Sequence, residues 1–347
     1  MKILAFETSC DETSVALVHD GLVLSNVVAS QIDTHKIYGG VVPEIAARQH
    51  LQNIEPVIDS VFQETGLGPN DIDGVAATRG PGLPPALMIG FRAAQGFAFA
   101  LDLPFVGLHH HEAHLYSPWT NGIPPRAEFD QIRPSVSLIV SGGHTLLVRV
   151  DKPLEHRILG GTIDDAAGEC FDKVGKLMGL PYPGGPEVDR LAADGNPNAY
   201  RFPRPMLKEA NDDFSFSGLK TSVRYFLEKN SELLESASAI RDLCASVQAA
   251  IVEVLVKKTM RAVDRLGFDT VTAAGGVTCN RGLRAALQKA CNEQGVQLKL
   301  SQPELCTDNA GMVGLLGSLY FESCDFSRVN DDDIRPGWTL DAVSSGS

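Results

Sequence analysis

The amino-acid sequence predicts an α/β protein of two domains in which one α/β lobe is duplicated. The chain has 347 residues, and domains usually span about 100–200 residues, so two domains are expected. A three-strand β-meander followed by helices and further strands occurs twice in the pattern, beginning near residues 3 and 135. Hydrophobic residues make up 44% and charged residues 21% of the chain, which is typical of globular α/β proteins.

Short apolar runs, turn residues and helical apolar spacing define the elements of each copy. In the first copy, Asp20-Gly21 predicts a hairpin turn. Its elements are strands over 3–8, 14–19 and 22–29, a helix over 44–64, a strand over 72–78, a helix within 81–101 and a strand over 104–108. The second copy has strands over 136–141, 145–150 and 156–159, a helix over 237–266, a strand over 270–274, a helix over 281–294, a strand over 296–300 and a helix over 310–321.

The composition predicts a soluble, cytoplasmic protein with no membrane association. Apolar stretches such as Gly90–Leu103 are interrupted by polar residues, and a span needs about 20 mostly apolar residues. The N-terminus resembles neither a signal peptide nor a transit segment. The cysteines are odd in number and lack C-x-x-C spacing, which favours reduced thiols; they are residues 10, 170, 244, 279, 291, 306 and 324.

A net charge of −13 argues against a large nucleic-acid-binding surface, because phosphates are bound by Lys and Arg. A nucleic-acid substrate would therefore need a local basic patch or the help of a partner. Basic residues cluster locally, although such clusters are also found on ordinary solvated surfaces. The two clusters are Arg201 with Arg204 and Lys208, and Lys173 with Lys176.

The strongest local signal is a run of histidines, since four of the nine in the chain lie within residues 109–114. His110 and His114 are four residues apart, so on a helix both imidazoles can reach one metal ion. The alternative is a solvated histidine run. The run does not match the metalloprotease pattern H-E-x-x-H. Two ligands leave a site incomplete, so a carboxylate from a distant part of the chain is expected.

Two glycine turns follow predicted strands. In Ser141-Gly142-Gly143 and in Gly275-Gly276, the glycines let backbone amides approach a phosphate, and the second turn leads into a helix that opens near Asn280. For the first turn, the alternative is an ordinary tight hairpin. For the second, the alternative to an anion is a purine ring that meets flat backbone. Acidic residues at 165, 169 and 172 share one helical face, for which a solvated surface is the common explanation.

Taken together, segments from about Ile3 to Leu319 resemble the TsaD family, the tRNA N6-adenosine threonylcarbamoyltransferases once catalogued as glycoproteases. Several segments are weak alone, but the set in this order is highly specific. The segments are Glu7–Thr13, His35-Lys36, Tyr38–Glu44, Gly80–Leu83, the histidine run, Ser141–Thr145, Asp164–Lys173, Phe214–Lys220, Gly275–Arg281 and Asp308-Asn309-Ala310.

The resemblance implies an actin-like ATPase/sugar kinase/Hsp70 fold, with two duplicated lobes and a nucleotide cleft between them. The N-terminal lobe would comprise 1–130 and 308–330 and carry the metal histidines. The C-terminal lobe would comprise 131–307 and carry the phosphate and adenosine segments, and 331–347 would be a tail. The implied site residues are metal ligands His110, His114 and Asp308; substrate contacts Ile139, Val140, Ser141, Gly142, Gly143, Asp172, Gly185, Asp189 and Asn280; and catalytic candidates Asp11 and Glu12.

Three features depart from the family pattern. Pro84-Pro85 follow Gly80–Leu83 where the family often has a small residue, and the Pro-rich stretch 118–134 is slightly long. His111 stands where the family tends to have an apolar residue, which leaves open which histidines bind. The pair 110 and 114 is preferred because its spacing is one helical turn.

The implied activity is transfer of threonylcarbamoyl from threonylcarbamoyl-AMP to N6 of adenosine 37 in tRNAs reading codons that start with A, giving t6A and AMP. The implied cofactor is one divalent metal per chain, with iron (Fe²⁺) favoured and zinc as the alternative. The metal would polarise the acyl carbonyl, the Ser141–Gly143 amides would stabilise negative charge, and Asp11 or Glu12 would orient or deprotonate the amine.

The implied partners are tRNA, a related non-catalytic subunit of the same fold, a small P-loop ATPase and a separate synthase that supplies the acyl-adenylate. Three alternatives remain for the activity. A kinase of the same fold would leave the histidine pair unexplained, and a metalloendopeptidase would lack the H-E-x-x-H base. A catalytically inert scaffold paralogue would be expected to have lost the histidine pair.

Overall fold

The computed structural model describes residues 1–323 and 332–344. Contacts divide the chain into unit 1, Met1–Ile132 with Gln302–Ser347, and unit 2, Arg133–Ser301. The sequence placed these two boundaries after residues 130 and 307. Cys324, the end of the predicted segment 308–330, and residues 331 and 345–347 of the predicted tail lie outside the described residues.

Unit 1 contains the first copy of the predicted pattern and the last helices of the chain. Its strands are β1 (Lys2–Glu7), β2 (Glu12–His19), β3 (Leu22–Ser30), β4 (Gly74–Gly80), β5 (Phe105–His109), β6 (Thr120–Asn121) and β7 (Arg126–Ala127). Its helices are α1 (Ile32–Lys36), α2 (Pro43–Thr65), α3 (Pro84–Ala100), α4 (His110–Tyr116), α10 (Pro303–Cys306), α11 (Ala310–Ser323) and α12 (Asp341–Ser344).

The sheet of unit 1 has the strand order β5-β4-β1-β2-β3-β7-β6. β1, β2 and β3 form the predicted antiparallel meander, and β4 and β5 add in parallel on the other side of β1. This sheet packs against α2 and α3 through apolar residues. These residues recur at every second position in the strands and at every third or fourth position in the helices. Because β1, β4 and β5 are parallel, their carboxyl ends lie along one edge of the sheet.

Unit 2 contains the second copy. Its strands are β8 (Ser135–Val140), β9 (Thr145–Lys152), β10 (Glu155–Gly161), β11 (Thr270–Ala274) and β12 (Gln297–Leu300). Its helices are α5 (Ala167–Leu177), α6 (Gly184–Ala192), α7 (Ser217–Lys229), α8 (Ala237–Leu266) and α9 (Arg281–Gln294). The sheet order is β10-β9-β8-β11-β12, with β8, β11 and β12 parallel.

The two sheets share one topology, which confirms the predicted duplication. In each sheet, the first strand of an antiparallel meander pairs on one side with the second strand of the meander. On its opposite side lie two parallel strands that come later in the sequence. The predicted helix over 237–266 coincides with α8, and the other predicted strands and helices agree within about three residues at each end. The short strands β6 and β7 and the helices α1, α6, α7, α10 and α12 were not predicted.

No helix in the described part of the chain is long and apolar enough to cross a membrane. The longest, α8, has 30 residues, but charged side chains recur along it and it packs into the core of unit 2.

Candidate active site

The histidine run lies where β5 ends and α4 begins. His109 is the last residue of β5 and the N-cap of α4, and its side chain accepts a hydrogen bond from the His111 amide. His110 and His114 therefore lie one turn apart on α4, with ring centroids 4.8 Å from each other. Both are buried. The predicted one-turn spacing is present, and it directs both rings toward the same point.

Asp308 lies beside these two histidines although it is almost 200 residues away in sequence. Its Oδ1 is 3.0 Å from His114 Nε2 and 3.4 Å from His110 Nε2. Ligand atoms of the three side chains all lie within 4.8 Å of one another. Asp308 comes just before α11, which packs on β1, β2 and α4. The structure thus supplies the distant carboxylate that the sequence required.

Glu7 is a second buried carboxylate at this point, and sequence reasoning did not single it out. It ends β1, and its Oε2 lies 2.9 Å from His110 Nδ1. The Ser9 amide and the Thr78 hydroxyl also donate to it. The available signal was a charged residue directly after four buried apolar ones in Ile3–Phe6. A buried carboxylate needs partners, so Glu7 pointed to a polar site.

These charges strongly affect one another. Burial alone would lower the pKa of His110, but the carboxylates of Asp308 and Glu7 outweigh burial and raise it well above its usual value. Burial alone would raise the pKa of Asp308 and of Glu7, but His110 reverses the shift, with His114 assisting at Asp308, so both pKa values are lowered. The buried carboxylate of Glu7 and the partly buried carboxylate of Asp308 therefore hold one positive charge between them.

The residues present fit a divalent metal ion. Two imidazole nitrogens and one carboxylate oxygen form a donor set used for zinc and for Fe²⁺. Glu7 accepts from the other nitrogen of His110, which is the arrangement that orients a metal-bound histidine. The anionic pair that holds a proton on His110 is equally suited to a bound cation. His111 is buried on the same helix but is not part of the three-residue group.

Asp11 and Glu12, the predicted catalytic candidates, lie at the turn between β1 and β2 in unit 1. Burial, followed by the charges of Asp11 and Asp308, raises the pKa of Glu12 well above its usual value. The same three influences raise the pKa of the Cys10 thiol. Glu12 therefore lies in a negative, partly buried environment that favours its protonated form.

Glu112 is fully buried on α4 between the two histidines in sequence. Burial raises its pKa to about 8, although a hydrogen bond from the Tyr320 hydroxyl opposes the shift. At neutral pH the side chain is mainly a neutral acid. It therefore differs from Glu7, whose pKa is lowered by His110.

The first glycine turn of unit 2 offers exposed backbone. Ser141 closes the turn, because its amide donates to the His144 carbonyl at 2.8 Å and its hydroxyl accepts from the His144 amide. Gly142 and Gly143 are exposed, and a Cβ at either would meet open space. Ile139 and Val140, also predicted as substrate contacts, are fully buried in β8.

The second glycine turn and helix α5 pack closely against the first turn. Gly275 has a φ of +92°, and a Cβ there would lie 2.4 Å from the Val140 carbonyl oxygen. A Cβ at Gly168, in the first turn of α5, would lie 2.4 Å from the Ser141 carbonyl oxygen. The glycines therefore bring two strand ends and a helix N-terminus together, an arrangement suited to an anion.

Asp172 and Gly185, two of the predicted substrate contacts, lie next to each other. The Gly185 amide donates to Asp172 Oδ1 at 3.0 Å, which joins α6 to α5. Asp189 also lies on α6. Its carboxylate accepts hydrogen bonds from the Arg281 side chain at 2.8 Å and from the Arg281 backbone amide at 3.1 Å. Asp189 thus holds the start of α9.

Asn280 is the N-cap of α9. Its Oδ1 accepts from the Leu283 amide at 2.8 Å, and its Nδ2 donates to Gln248 at 2.6 Å. The residue is 8% exposed. Asn280 therefore has a structural role at the helix start in addition to the predicted contact with substrate.

The candidate basic residues differ in their availability. Arg201 and Lys208 are exposed. Arg204 forms a 2.9 Å ion pair with Glu253, and Lys173 is paired with Asp165 and Glu169. The fifth candidate, Lys176, is also exposed. Arg201, Lys208 and Lys176 therefore present the charge that a phosphate backbone could meet.

Comparisons with solved structures define the class of the fold. The activator of 2-hydroxyisocaproyl-CoA dehydratase from Clostridium difficile, solved with bound ADPNP, superposes with a TM-score of 0.52 over 92% of this chain and 94% of its own. HypF from T. kodakarensis gives a TM-score of 0.59 over 92% of this chain and 48% of its own. Sequence identity is 14% in both cases. The chain has the actin-like ATPase fold, as predicted.

Sequence comparisons then give the family. The family model described as TsaD, tRNA N6-adenosine threonylcarbamoyltransferase, matches residues 22–315. A protein of that name from Syntrophotalea carbinolica is 48% identical over 98% of this chain and 97% of its own length. Another, from Geotalea uraniireducens, is 48% identical over 99% of this chain and 98% of its own. This chain belongs to the TsaD family, which confirms the family and the class of enzyme predicted from its motifs.

Proposed function

We propose that this protein transfers a threonylcarbamoyl group to N6 of an adenosine in tRNA, with threonylcarbamoyl-AMP as donor and AMP as the second product. The match of the family model over residues 22–315 carries the proposal. The acceptor is proposed to be adenosine 37 of tRNAs that read codons starting with A. This base must leave its stack to be modified.

The reaction needs an activated acyl group, because the lone pair of adenine N6 is delocalised into the ring. N6 attacks the carbamoyl carbon, the bond from that carbon to the phosphate oxygen breaks, and AMP leaves with the electron pair. The proton lost from N6 needs an acceptor. Glu12 is the proposed acceptor, because burial and the charges of Asp11 and Asp308 raise its pKa and so stabilise the proton on it after transfer. Asp11 would then orient the amine.

In unit 2, the proposed role is binding of the adenylate. The exposed backbone of Gly142 and Gly143, with the N-terminus of α5 nearby, is suited to the phosphate and to charge that develops on it. Asn280 and the Asp172–Gly185 contact would support the nucleoside and the acyl portion. Because Ile139 and Val140 are buried, any part they play is to hold the turn.

In unit 1, His110, His114 and Asp308 would hold one divalent metal ion per chain. Fe²⁺ is favoured and Zn²⁺ is the alternative, because the donor set suits both. When bound, such an ion supplies Lewis acidity toward a carbonyl oxygen. Glu7 would keep the proton of His110 on Nδ1 and so leave Nε2 available.

A related non-catalytic subunit, a small P-loop ATPase and a synthase that makes the acyl-adenylate are the proposed partners. The net charge of −13 supports a need for help in binding tRNA. Arg201 and Lys208 are the proposed contacts of this chain with the phosphate backbone.

A reconstitution assay with defined components tests the function. The chain, threonylcarbamoyl-AMP and tRNA are combined with and without the partner proteins, and modified nucleosides are measured by mass spectrometry. We expect slow turnover by the chain alone and efficient transfer with partners. Absence of the modified nucleoside under both conditions would contradict the proposed activity, whereas full turnover without partners would contradict only the charge argument. Arg201→Ala with Lys208→Ala should weaken tRNA binding and flatten its salt dependence.

A further inference from the structure

The last described segment of the chain lies across the carboxyl ends of β4 and β5. None of its residues takes part in the proposed transfer reaction. We call residues 332–343 the C-terminal strap. The Arg335 amide donates to the Arg79 carbonyl at 2.8 Å, and the Gly82 amide donates to the Pro336 carbonyl at 3.2 Å. These bonds join the strap to β4 and to the loop that follows it.

Side chains fix the strap further. Arg79 donates to the Asp333 carbonyl and forms a 3.0 Å ion pair with Asp332. The Trp338 ring receives cation–π contacts from Arg79 at 5.8 Å and Arg335 at 5.4 Å. Leu340 is 1% exposed. A segment with so many fixed contacts is part of unit 1 and not a loose tail.

His109 joins the strap to α4. Its Nδ1 accepts from the His111 amide at 3.1 Å, so Nδ1 carries no proton. The proton of the neutral ring then lies on Nε2, which donates to the Trp338 carbonyl at 3.1 Å. The two rings also lie 5.1 Å apart. One tautomer of His109 thus satisfies a strap carbonyl and caps the helix at the same time.

Helix α4 has only 7 residues, so its position depends on its cap and its packing. His110 is its first residue. The distances from Asp308 Oδ1 to His110 Nε2 and to His114 Nε2, 3.4 and 3.0 Å, depend on where that first turn lies. A displacement of His109 therefore changes the distances between the candidate ligands.

We propose that the C-terminal strap is a positioning element of the metal centre, and that it acts through His109 on the first turn of α4. The proposal rests on the metal centre described under the proposed function. His109 is then a positioning residue and not a ligand. The strap holds the His109 ring, the ring caps α4, and α4 places His110 and His114.

Metal affinity of the full-length protein tests this linkage. Trp338→Ala removes the ring against His109, His109→Ala removes the link and the cap, and His109→Asn keeps a good N-cap but is too short to replace the imidazole. Zn²⁺ affinity is measured by chelator competition, and Co²⁺ absorption reports ligand geometry. We expect about three- to tenfold weaker binding for His109→Ala, the size of one lost hydrogen bond, and a smaller loss for His109→Asn. We expect a loss of similar size for Trp338→Ala, which keeps the carbonyl that accepts from His109 but loses the contact between the two rings.

A double-mutant cycle separates the strap from a general loss of stability. If the strap acts through His109, Trp338→Ala should weaken Zn²⁺ binding much less in the His109→Asn background than in the wild type. Tyr225→Ala is the matched control, because it removes an exposed aromatic ring that also contacts an arginine, in unit 2. It should leave Zn²⁺ affinity unchanged.

The outcomes are distinct. Wild-type Zn²⁺ affinity in Trp338→Ala, or additive losses in the cycle, would overturn the proposal. Failure of the wild-type chain to bind Zn²⁺ would instead overturn the metal centre. Should Trp338→Ala not fold, the double variant Asp332→Asn with Asp333→Asn takes its place, because it breaks the ion pairs of the strap with Arg79 and with Arg92. Unchanged affinity in that variant overturns the proposal. Long-range ¹H–¹⁵N NMR should also show the His109 proton on Nε2.

Discussion

The two sheets share a common order of five strands, but different chemical groups follow the carboxyl ends of those strands. In unit 1, the carboxyl ends of β1 and β5 lead to buried ionisable side chains, Glu7 and the histidines of α4. In unit 2, the matching strands β8 and β12 have β11 between them, and β8 and β11 each lead to a glycine turn. The backbone of Gly142 and Gly143 in the first of these turns is exposed. One topology therefore places side chains suited to a cation in one unit and a glycine turn suited to an anion in the other.

The difference shows what each kind of site requires of the fold. Charged ligands must be buried and held by other charges, so the site of unit 1 depends on particular side chains such as Glu7 and Asp308. Backbone amides need only access and the right turn, so the site of unit 2 depends on small residues and helix starts. Substitutions should therefore have larger effects in unit 1 than in unit 2.

The largest effect is expected at the metal ligands. The purified wild-type protein should carry about one transition metal ion per chain, and His110→Ala and Asp308→Ala should lose most of it because two remaining ligands leave the site incomplete. Elemental analysis measures this directly. His111→Ala is the control on the same helix and should keep its metal. Equal metal content in all four proteins would show that His110 and Asp308 do not bind the metal.

The next effect concerns pH and Glu112 in the metal-free protein. Its pKa is about 8 in the folded state against 4.5 as the ordinary value, so the folded state keeps a proton that the unfolded state releases. The free energy of unfolding should therefore fall as the pH rises between those two values, by about 1.4 kcal/mol for each pH unit, and level off above about 8. Glu112→Gln should flatten this fall in urea titrations. Parallel pH profiles for the two proteins would contradict the assignment.

A smaller effect is expected at Glu7, which orients the proposed metal ligand His110 but is not itself a metal ligand. Glu7→Gln should weaken metal binding about 10- to 100-fold, because the charge that orients His110 is lost. Glu112→Gln is the matched control, since it makes the same substitution at an equally buried side chain that is mainly uncharged at neutral pH, so that no negative charge is removed. Chelator competition measures both affinities. Similar losses in both variants would mean that any buried carboxylate matters, and that Glu7 has no special role.

The smallest effect is expected in unit 2 at Asn280. Asn280→Ala should weaken adenine nucleotide binding severalfold and lower the free energy of unfolding by about 1 kcal/mol, because a helix cap is lost. Asn280→Ser restores a cap and should recover stability but not affinity. Calorimetry and thermal unfolding measure the two quantities. If serine restores both, the contribution of Asn280 is structural and the nucleotide contact belongs elsewhere.

The sequence predicted the two meanders and the long helices because apolar periodicity and turn residues are local signals. It predicted the His110–His114 pair for the same reason, since one helical turn separates them. Asp308 came from the resemblance alone, because no local signal connects it with α4. Glu7 and the cap formed by His109 were not predicted, since both depend on contacts between strands and helices far apart in the sequence. Asp189 was expected to meet substrate, whereas its carboxylate is bound by Arg281.

Unit 1 is discontinuous in sequence, since all of unit 2 separates Ile132 from Gln302. During synthesis, β1 to β5 emerge first, then the whole of unit 2, and only then Asp308 and α11. Domains fold as units during translation, so unit 2 has its complete sequence before unit 1 does. The ribosome therefore produces a chain whose two glycine turns can form early, whereas His110, His114 and Asp308 can come together only after synthesis is nearly finished.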